Sequence, residues 1–122
     1  LPKDPDNSAK LIQDEIRIKT GKKVAVIISD TFGRPFRLGQ TDNAIGIAGI
    51  ESILSYEGKL DTFGKMLRVT AIAIVDELCS AAELVMEKTK KSPMAIIKNY
   101  QFDSKDDQIS NLIRPGSDDL FK

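Results

Sequence analysis

Histidine is absent from this sequence, and cysteine occurs once, as Cys79. The chain therefore has no imidazole base, and a single cysteine excludes a disulfide framework and a Cys/His zinc site. Lys+Arg and Asp+Glu are equal at 18 each, so no net charge draws the protein to nucleic acid or anionic lipid. The longest apolar stretch is interrupted by Asp76 and Glu77, and no secretory signal pattern opens the chain. We therefore expect a reducing, cytoplasmic setting with no nucleic-acid or membrane partner.

The length of 122 residues, 41% of them hydrophobic, is enough for one ordinary core and too short for two. Residues 1–122 are therefore predicted to form a single domain. The chain begins at Leu1 and not at Met, which is typical of a fragment, a processed chain or one with further residues upstream.

Helical and β-type patterns alternate along the chain. Apolar residues at helical spacing predict a first helix over residues 8–20, capped by Asn7 or Ser8 and stopped by Gly21. A second helix is predicted from Thr70 to a basic end at residues 88–91, and a third from Ser104. Short apolar runs predict strands at 24–28 and 93–97, with one or two more between 44 and 56. This order favours an α+β fold, in which a mixed or antiparallel sheet packs with three main helices.

Residues 30–46 are interpreted as a functional loop that follows the first strand. The loop would be long for a structureless connection, and it combines carboxylate, hydroxyl, guanidinium and amide groups with two glycines. Such groups can hold a hard cation and phosphate oxygens. The spacing of the glycines fits neither a Walker phosphate loop nor a dinucleotide fingerprint. The candidate side chains belong to Asp30, Thr31, Arg34, Arg37, Gln40 and Asp42.

Plainer interpretations exist for each of these groups. Asp30 and Thr31 can serve as a helix cap, the arginines as solvated charges, and Gln40 and Asp42 as turn stabilisers. The sequence Asp-Thr-Phe-Gly recurs at residues 61–64, where it is interpreted as a turn and not as a second site. Asp76 and Glu77 are predicted to lie on a solvated helix face, and Cys79 to be a buried thiol.

The whole stretch from Asp30 to Gly46 closely resembles the signature of the coenzyme F-420 gamma-glutamyl ligases. The likeness continues outside the signature, which makes it specific. The matching segments are Leu1-Pro2-x-Asp4-Pro5-Asp6-x-Ser8-Ala9, Asp76-Glu77-Leu78-x-x-Ala81-Ala82-Glu83-Leu84-Val85, Ile113-Arg114-Pro115 and Asp118-Asp119-Leu120-Phe121.

The resemblance implies a GTP-dependent ligase that adds L-glutamate to the deazaflavin precursor F-420-0 through a gamma-glutamyl amide bond. GTP would phosphorylate the terminal carboxylate of the precursor, and the amine of glutamate would displace phosphate from the resulting acyl phosphate. The resemblance also implies Mg²⁺ or Mn²⁺, with K⁺ as a further cation, and a homodimer. Asp30 matches a metal ligand of the family, with Thr31 as a co-ligand. Arg34, Arg37 and Gln40 become candidates for nucleotide or substrate contacts, and Asp42 and Glu77 are weaker ones.

Members of this family are about twice as long, and their upstream half supplies another metal-ligating carboxylate and part of the nucleotide pocket. The chain thus looks like the C-terminal half of a larger two-domain ligase fold. Two alternatives stay open: a non-catalytic nucleotide- or metal-binding or assembly module, and a related ligase that acts on another carboxylate acceptor.

Overall fold

The structure is a computed structural model, and it describes residues 1–120. Two α-helices and four antiparallel β-strands form its regular part, which confirms the α+β prediction. In chain order these are α1 (Pro5–Thr20), β1 (Val26–Arg34), β2 (Arg37–Ala48), β3 (Leu54–Ser55), β4 (Ala71–Ile72) and α2 (Ile74–Met86). A third helix is a single 3-10 turn at Ile109–Leu112, and another short 3-10 turn spans Gly116–Asp118.

The first helix begins three residues earlier than predicted, because Asp4 caps it and not Asn7 or Ser8. The Asp4 carboxylate accepts a hydrogen bond from the Asn7 amide at 3.1 Å, and Pro5 occupies the first helical position. Proline suits that position since its missing N–H would be unpaired there anyway. The predicted stop is confirmed: Gly21 adopts a left-handed φ of 71° and its N–H bonds to the Arg17 carbonyl.

The segment predicted as a loop over residues 30–46 forms a long β-hairpin instead. Strand β1 continues through Asp30 to Arg34, turns at Pro35 and Phe36, and pairs with β2 from Arg37 onward. Glycine and proline were interpreted as loop residues, but here they serve the turn and its adjoining bulge, where Gly39 has a φ of 85°. Because side chains on a strand point alternately to its two faces, the hairpin divides the residues of this segment between two faces.

The two α-helices pack against opposite faces of this hairpin. On one face Gly46 lies against α1, where a Cβ would come within 2.4 Å of the Pro5 backbone. The next residue, Ile47, points the other way and is 2% exposed in the core with α2. The core consists of Ala44, Ile47, Ile50, Ile74, Val75 and Cys79.

Two aspartates, Asp107 and Asp6, make polar contacts that attach the C-terminal segment to the rest of the fold. The Asp107 carboxylate accepts hydrogen bonds from the amide and hydroxyl of Ser52, both at 2.7 Å, and from Asn111 and Gln108. Burial raises the pKa of Asp107, but these hydrogen bonds outweigh it and lower the pKa to about 2. Asp6 bridges similarly between Ile47 and Ile109. Together with Ile109 and Leu112, which pack against the core, these carboxylate acceptors position the segment.

Three further predictions for the second half of the chain were wrong. Helix α2 begins at Ile74 and not at Thr70, because Ala71 and Ile72 pair with β3, and it ends at Met86 before the basic residues. Among the described residues, 93–97 form no strand, and Ile96 is 77% exposed. The helix predicted from Ser104 is reduced to the turn at Ile109–Leu112. An apolar run becomes a strand only where a partner edge is available.

Candidate functional site

Thr31 and Asp42 meet on the face of the hairpin that packs against α2. They are register partners on β1 and β2, and the Thr31 hydroxyl donates to Asp42 Oδ1 at 2.9 Å. Ser29, two residues before Thr31 and on the same face, donates to Asp42 Oδ2 at 3.4 Å. The ammonium of Lys88, from the segment after α2, donates to Thr31 Oγ1 at 2.7 Å and to Asp42 Oδ1 at 3.0 Å. We call these four residues the Asp42 cluster.

The Asp42 carboxylate is ionised in this cluster. Burial is the largest influence on its pKa and raises it, but hydrogen bonds from Lys88, Thr31 and Ser29, with the charge of Lys88, together lower the pKa below its usual 3.8. The residue is only 4% exposed. Ser80 on α2 also donates to the Asp42 backbone carbonyl at 3.0 Å. Asp42 therefore acts as an anchor that joins both strands to α2 and to the segment that follows it.

Asp30, the predicted metal ligand, lies on the other face of β1. It is the register partner of Asn43 and neighbours Thr31, so the two side chains point away from each other. Within residues 1–120 its carboxylate makes no hydrogen bond or ion pair with another side chain. The structure therefore separates the two predicted metal residues, and it brings Thr31 together with Asp42 instead.

Three predicted nucleotide or substrate residues lie at the outer end of the hairpin. Arg34 and Arg37 flank the turn as register partners, and Gln40 pairs with Gly33. Arg34 spans the bulge by donating to the Leu38 carbonyl at 2.8 Å. All three are exposed, and the side chains of Arg37 and Gln40 have no hydrogen bond within the described part of the chain. The donors of Arg37 and Gln40 thus face solvent at the end of the hairpin, and the ligand contacts of all three residues stay a prediction.

The three candidates on α2 have different surroundings. The prediction that Asp76 lies on a solvated face is wrong: its half-buried carboxylate accepts the Ala44 amide at 2.9 Å, which ties α2 to β2. Glu77 is exposed, as predicted for a solvated face. Cys79 is 4% exposed, and burial, followed by the charges of Asp76 and Asp42, raises the pKa of its thiol to about 12. The prediction of a buried cysteine is confirmed, and a thiol with this pKa is an inert neutral group.

The oxygen ligands available for Mg²⁺ or Mn²⁺ differ on the two faces. Within residues 1–120, no three side chains among His, Cys, Asp and Glu lie close enough together to hold a metal ion. The unpaired carboxylate of Asp30 fits the role of a single ligand, since Mg²⁺ is commonly held by one or two carboxylates together with substrate phosphates. Thr31 and Asp42 do not fit this role, because the Lys88 ammonium already bonds to both of their oxygens.

Lys88, Ser29 and Ser80 were not predicted as site residues. Lys88 lies 46 positions from Asp42 in the sequence, and its basic neighbours suggested only a stabilised helix end. No local pattern reports such a contact; it arises because α2 packs across the hairpin. Ser29 could have been found, since it shares strand parity with Thr31 once the strand is extended through residue 34.

The hairpin and the two helices packed on it make the chain an α+β protein. Its candidate site lies on the two strands of the hairpin. Residues 1–99 match the family model described as "F420-0:Gamma-glutamyl ligase". The chain belongs to this family.

Named relatives show the same relationship across the whole chain. It is 45% identical over 123 residues to the "Coenzyme F420:L-glutamate ligase" of Methanocaldococcus jannaschii, covering 100% of this chain and 49% of the relative. It is 42% identical over 125 residues to the protein of the same name from Methanothermobacter thermautotrophicus, covering 100% and 50%. The chain thus spans about half the length of the curated relatives it matches. Neither α1 nor α2, the α-helices within residues 1–120, has the length and hydrophobicity of a transmembrane span.

Proposed function

We propose that this chain forms part of a GTP-dependent ligase that attaches L-glutamate to coenzyme F-420-0 through a gamma-glutamyl amide bond. The observation that carries the proposal is the identity of 41–45% to coenzyme F-420:L-glutamate ligases over the whole chain. The exposed donors of the hairpin are consistent with it, since arginine is well suited to bind phosphate and carboxylate groups.

The proposed reaction has two steps. The terminal carboxylate of F-420-0 attacks the γ-phosphorus of GTP, which breaks the bond to GDP and gives an acyl phosphate. The amine of glutamate then attacks the acyl carbon, phosphate leaves, and the amine loses a proton as the amide forms. Arg34, Arg37 and Gln40 would bind and orient the phosphate or substrate groups. Mg²⁺ or Mn²⁺ would offset negative charge on the transferring phosphoryl group.

Asp30 is the residue that would hold the metal from this chain. Its carboxylate is unpaired within residues 1–120, so a cation would not need to break an existing ion pair. K⁺ as a further cation, a homodimeric assembly and a cytoplasmic location are parts of the same proposal. The catalytic proton acceptor is left unassigned.

Mass spectrometry of the deazaflavin tests the proposal directly. The chain is incubated with F-420-0, glutamate, GTP, Mn²⁺ and K⁺, beside Asp30→Ala and the matched control Asp61→Ala. Asp61 holds the same place in the second Asp-Thr-Phe-Gly segment, so the two variants make the same chemical change in the same local sequence. We expect a glutamate-sized mass gain with the wild type and Asp61→Ala, and none with Asp30→Ala.

The opposite result is equally informative. If the folded wild-type chain binds GDP with Mn²⁺ but gives no mass gain, this chain alone is an incomplete or non-catalytic portion of such a ligase. If Asp30→Ala retains full activity, the metal assignment is wrong even though the ligase activity stands.

A further inference from the structure

The Asp42 cluster holds its own positive charge. Lys88 Nζ, Thr31 Oγ1 and Asp42 Oδ1 form a closed triangle, with sides of 2.7, 2.9 and 3.0 Å. The hydroxyl of Thr31 accepts from Lys88 and donates to Asp42, so its proton has a defined direction. Two strands and the segment after α2 therefore meet around one ammonium group.

Burial of Asp42 makes this ammonium necessary. The Asp42 side chain is 5% exposed, and a buried carboxylate is costly unless it is both hydrogen-bonded and paired with a charge. Thr31 and Ser29 supply hydrogen bonds but no charge. Lys88 makes the one ion pair of Asp42 among residues 1–120. The lysine is thus the counter-ion of the hairpin.

The same position is where a metal ion would bind the oxygens of Thr31 and Asp42. Mg²⁺ requires oxygen ligands at about 2.0–2.1 Å in nearly octahedral geometry, and an ammonium hydrogen-bonded to both oxygens leaves no room for it.

We propose that Lys88 is a built-in cation that occupies the Thr31–Asp42 position and keeps divalent metal ions out of it. Any divalent ion bound by this chain then lies on the Asp30 face of the hairpin. The proposal concerns the cation content of the chain and does not depend on its ligase activity.

Mn²⁺ titration followed by electron paramagnetic resonance, which reports free Mn²⁺, tests the proposal. The variant Lys88→Met keeps a long flexible side chain but removes the charge. Lys90→Met is the matched control, since Lys90 lies in the same segment and, among residues 1–120, pairs only with exposed Glu87, at 3.0 Å. We expect Lys88→Met to bind one additional Mn²⁺ per chain compared with the wild type and with Lys90→Met. The double variant Lys88→Met/Asp42→Asn should lose that additional ion.

Thermal unfolding with and without Mn²⁺ covers the case in which Lys88→Met folds poorly. Because an ion that binds only the folded state stabilises it, Mn²⁺ should raise the Tm of Lys88→Met more than that of Lys90→Met. If Lys88→Met binds no additional Mn²⁺, or is unfolded and Mn²⁺ does not restore it, the proposal is overturned. It is also overturned if a wild-type Mn²⁺ site is abolished by Asp42→Asn but not by Asp30→Ala. Loss of the wild-type ion in Asp30→Ala supports the proposed metal ligand separately, so the two proposals fail independently.

Discussion

The tetrapeptide Asp-Thr-Phe-Gly adopts different conformations at residues 30–33 and 61–64. The first copy is extended strand in the middle of β1, paired with β2 along its whole length. The second is the tip of an antiparallel arm that leads from β3 to β4, beside the bridge between Leu60 and Met66. Phe32 in the first copy is 45% exposed, whereas Phe63 in the second is 92% exposed.

The side chains of the two copies accordingly have different tasks. In the strand, Thr31 bonds across to Asp42 and Lys88, while Asp30 is left without a partner in residues 1–120. In the turn, Asp61 Oδ1 accepts the amides of Phe63 and Lys65, each at 2.8 Å, as in an Asx turn. Flanking residues decide between the two structures: a β-branched run precedes the first copy, and a long partner strand follows it. Within residues 1–120 the Asp30 carboxylate accepts no backbone amide, whereas the Asp61 carboxylate accepts two. This difference distinguishes the candidate site from the turn.

Replacement of the two threonines should give the largest loss of stability in either copy, at Thr31. Thr31→Val removes a donor to the buried Asp42 carboxylate and an acceptor for Lys88, so we expect a loss of about 1–2 kcal/mol in the free energy of unfolding. Thr62 is exposed, and Thr62→Val should change this free energy by less than about 0.5 kcal/mol. Urea denaturation of both variants checks this. Equal losses would show that the Asp42 cluster contributes no more to stability than the turn does.

For the two aspartates, replacement in the second copy should cause the larger loss of stability. Asp61→Ala leaves two backbone amides without their acceptor in the turn, for an expected loss of about 1 kcal/mol. Asp30→Ala removes no hydrogen bond found within residues 1–120, and we expect a change within about 0.5 kcal/mol. The measurement is again urea denaturation, made in the absence of divalent cations. A large loss for Asp30→Ala under these conditions would mean that Asp30 is structural and weaken its assignment to the metal.

The extent of the first copy's strand was missed because its turn residues gave a misleading local signal. Apolar periodicity correctly located α1, most of α2 and the buried Cys79, since a core-facing stripe is encoded within a few turns of helix. Pro35 and Gly39 suggested a loop over residues 30–46, although a hairpin needs the same residues for one turn and one bulge. The predicted strand at 93–97 was wrong because pairing depends on a distant edge.

The sequence predicted that the six candidate residues lie close together, but not on which face of the hairpin each of them lies. All six residues lie on one hairpin, yet strand geometry places Asp30 and Thr31 on opposite faces. Their neighbour Lys88 was invisible to sequence reasoning, because a contact across 46 residues leaves no local pattern. The turn at 61–64, by contrast, was predicted correctly since Asx-turn chemistry is wholly local.

Replacement of the two glycines by alanine should affect the two copies differently, because their backbone conformations differ. Gly64 has a φ of 78°, whereas Gly33 is extended and a Cβ added there would meet no atom within 4 Å. Gly64→Ala forces alanine into the left-handed region and should cost about 1 kcal/mol. Gly33→Ala should be neutral or stabilising by up to about 1 kcal/mol, because alanine lowers the entropy of the unfolded chain. Thermal unfolding compares the two; a destabilising Gly33→Ala would mean that this position needs glycine for close approach of a ligand or partner.

The smallest expected effect is on the pH dependence of stability. It comes from Asp42, which is the partner of Thr31 in the first copy. Its folded-state pKa lies below the unfolded value of 3.8, so its contribution to stability is present above that value and is lost as the pH falls through the folded pKa. The amide in Asp42→Asn does not titrate, so this variant has no carboxylate contribution to lose on acidification. Its free energy of unfolding should therefore fall less steeply below about pH 4 than that of the wild type. Asp107, with a pKa of about 2, titrates in both proteins and cancels from the difference. Parallel curves for the two proteins would mean that the pKa of Asp42 is the same in the folded and unfolded states, so that Lys88 and Thr31 do not hold it as an ionised anchor.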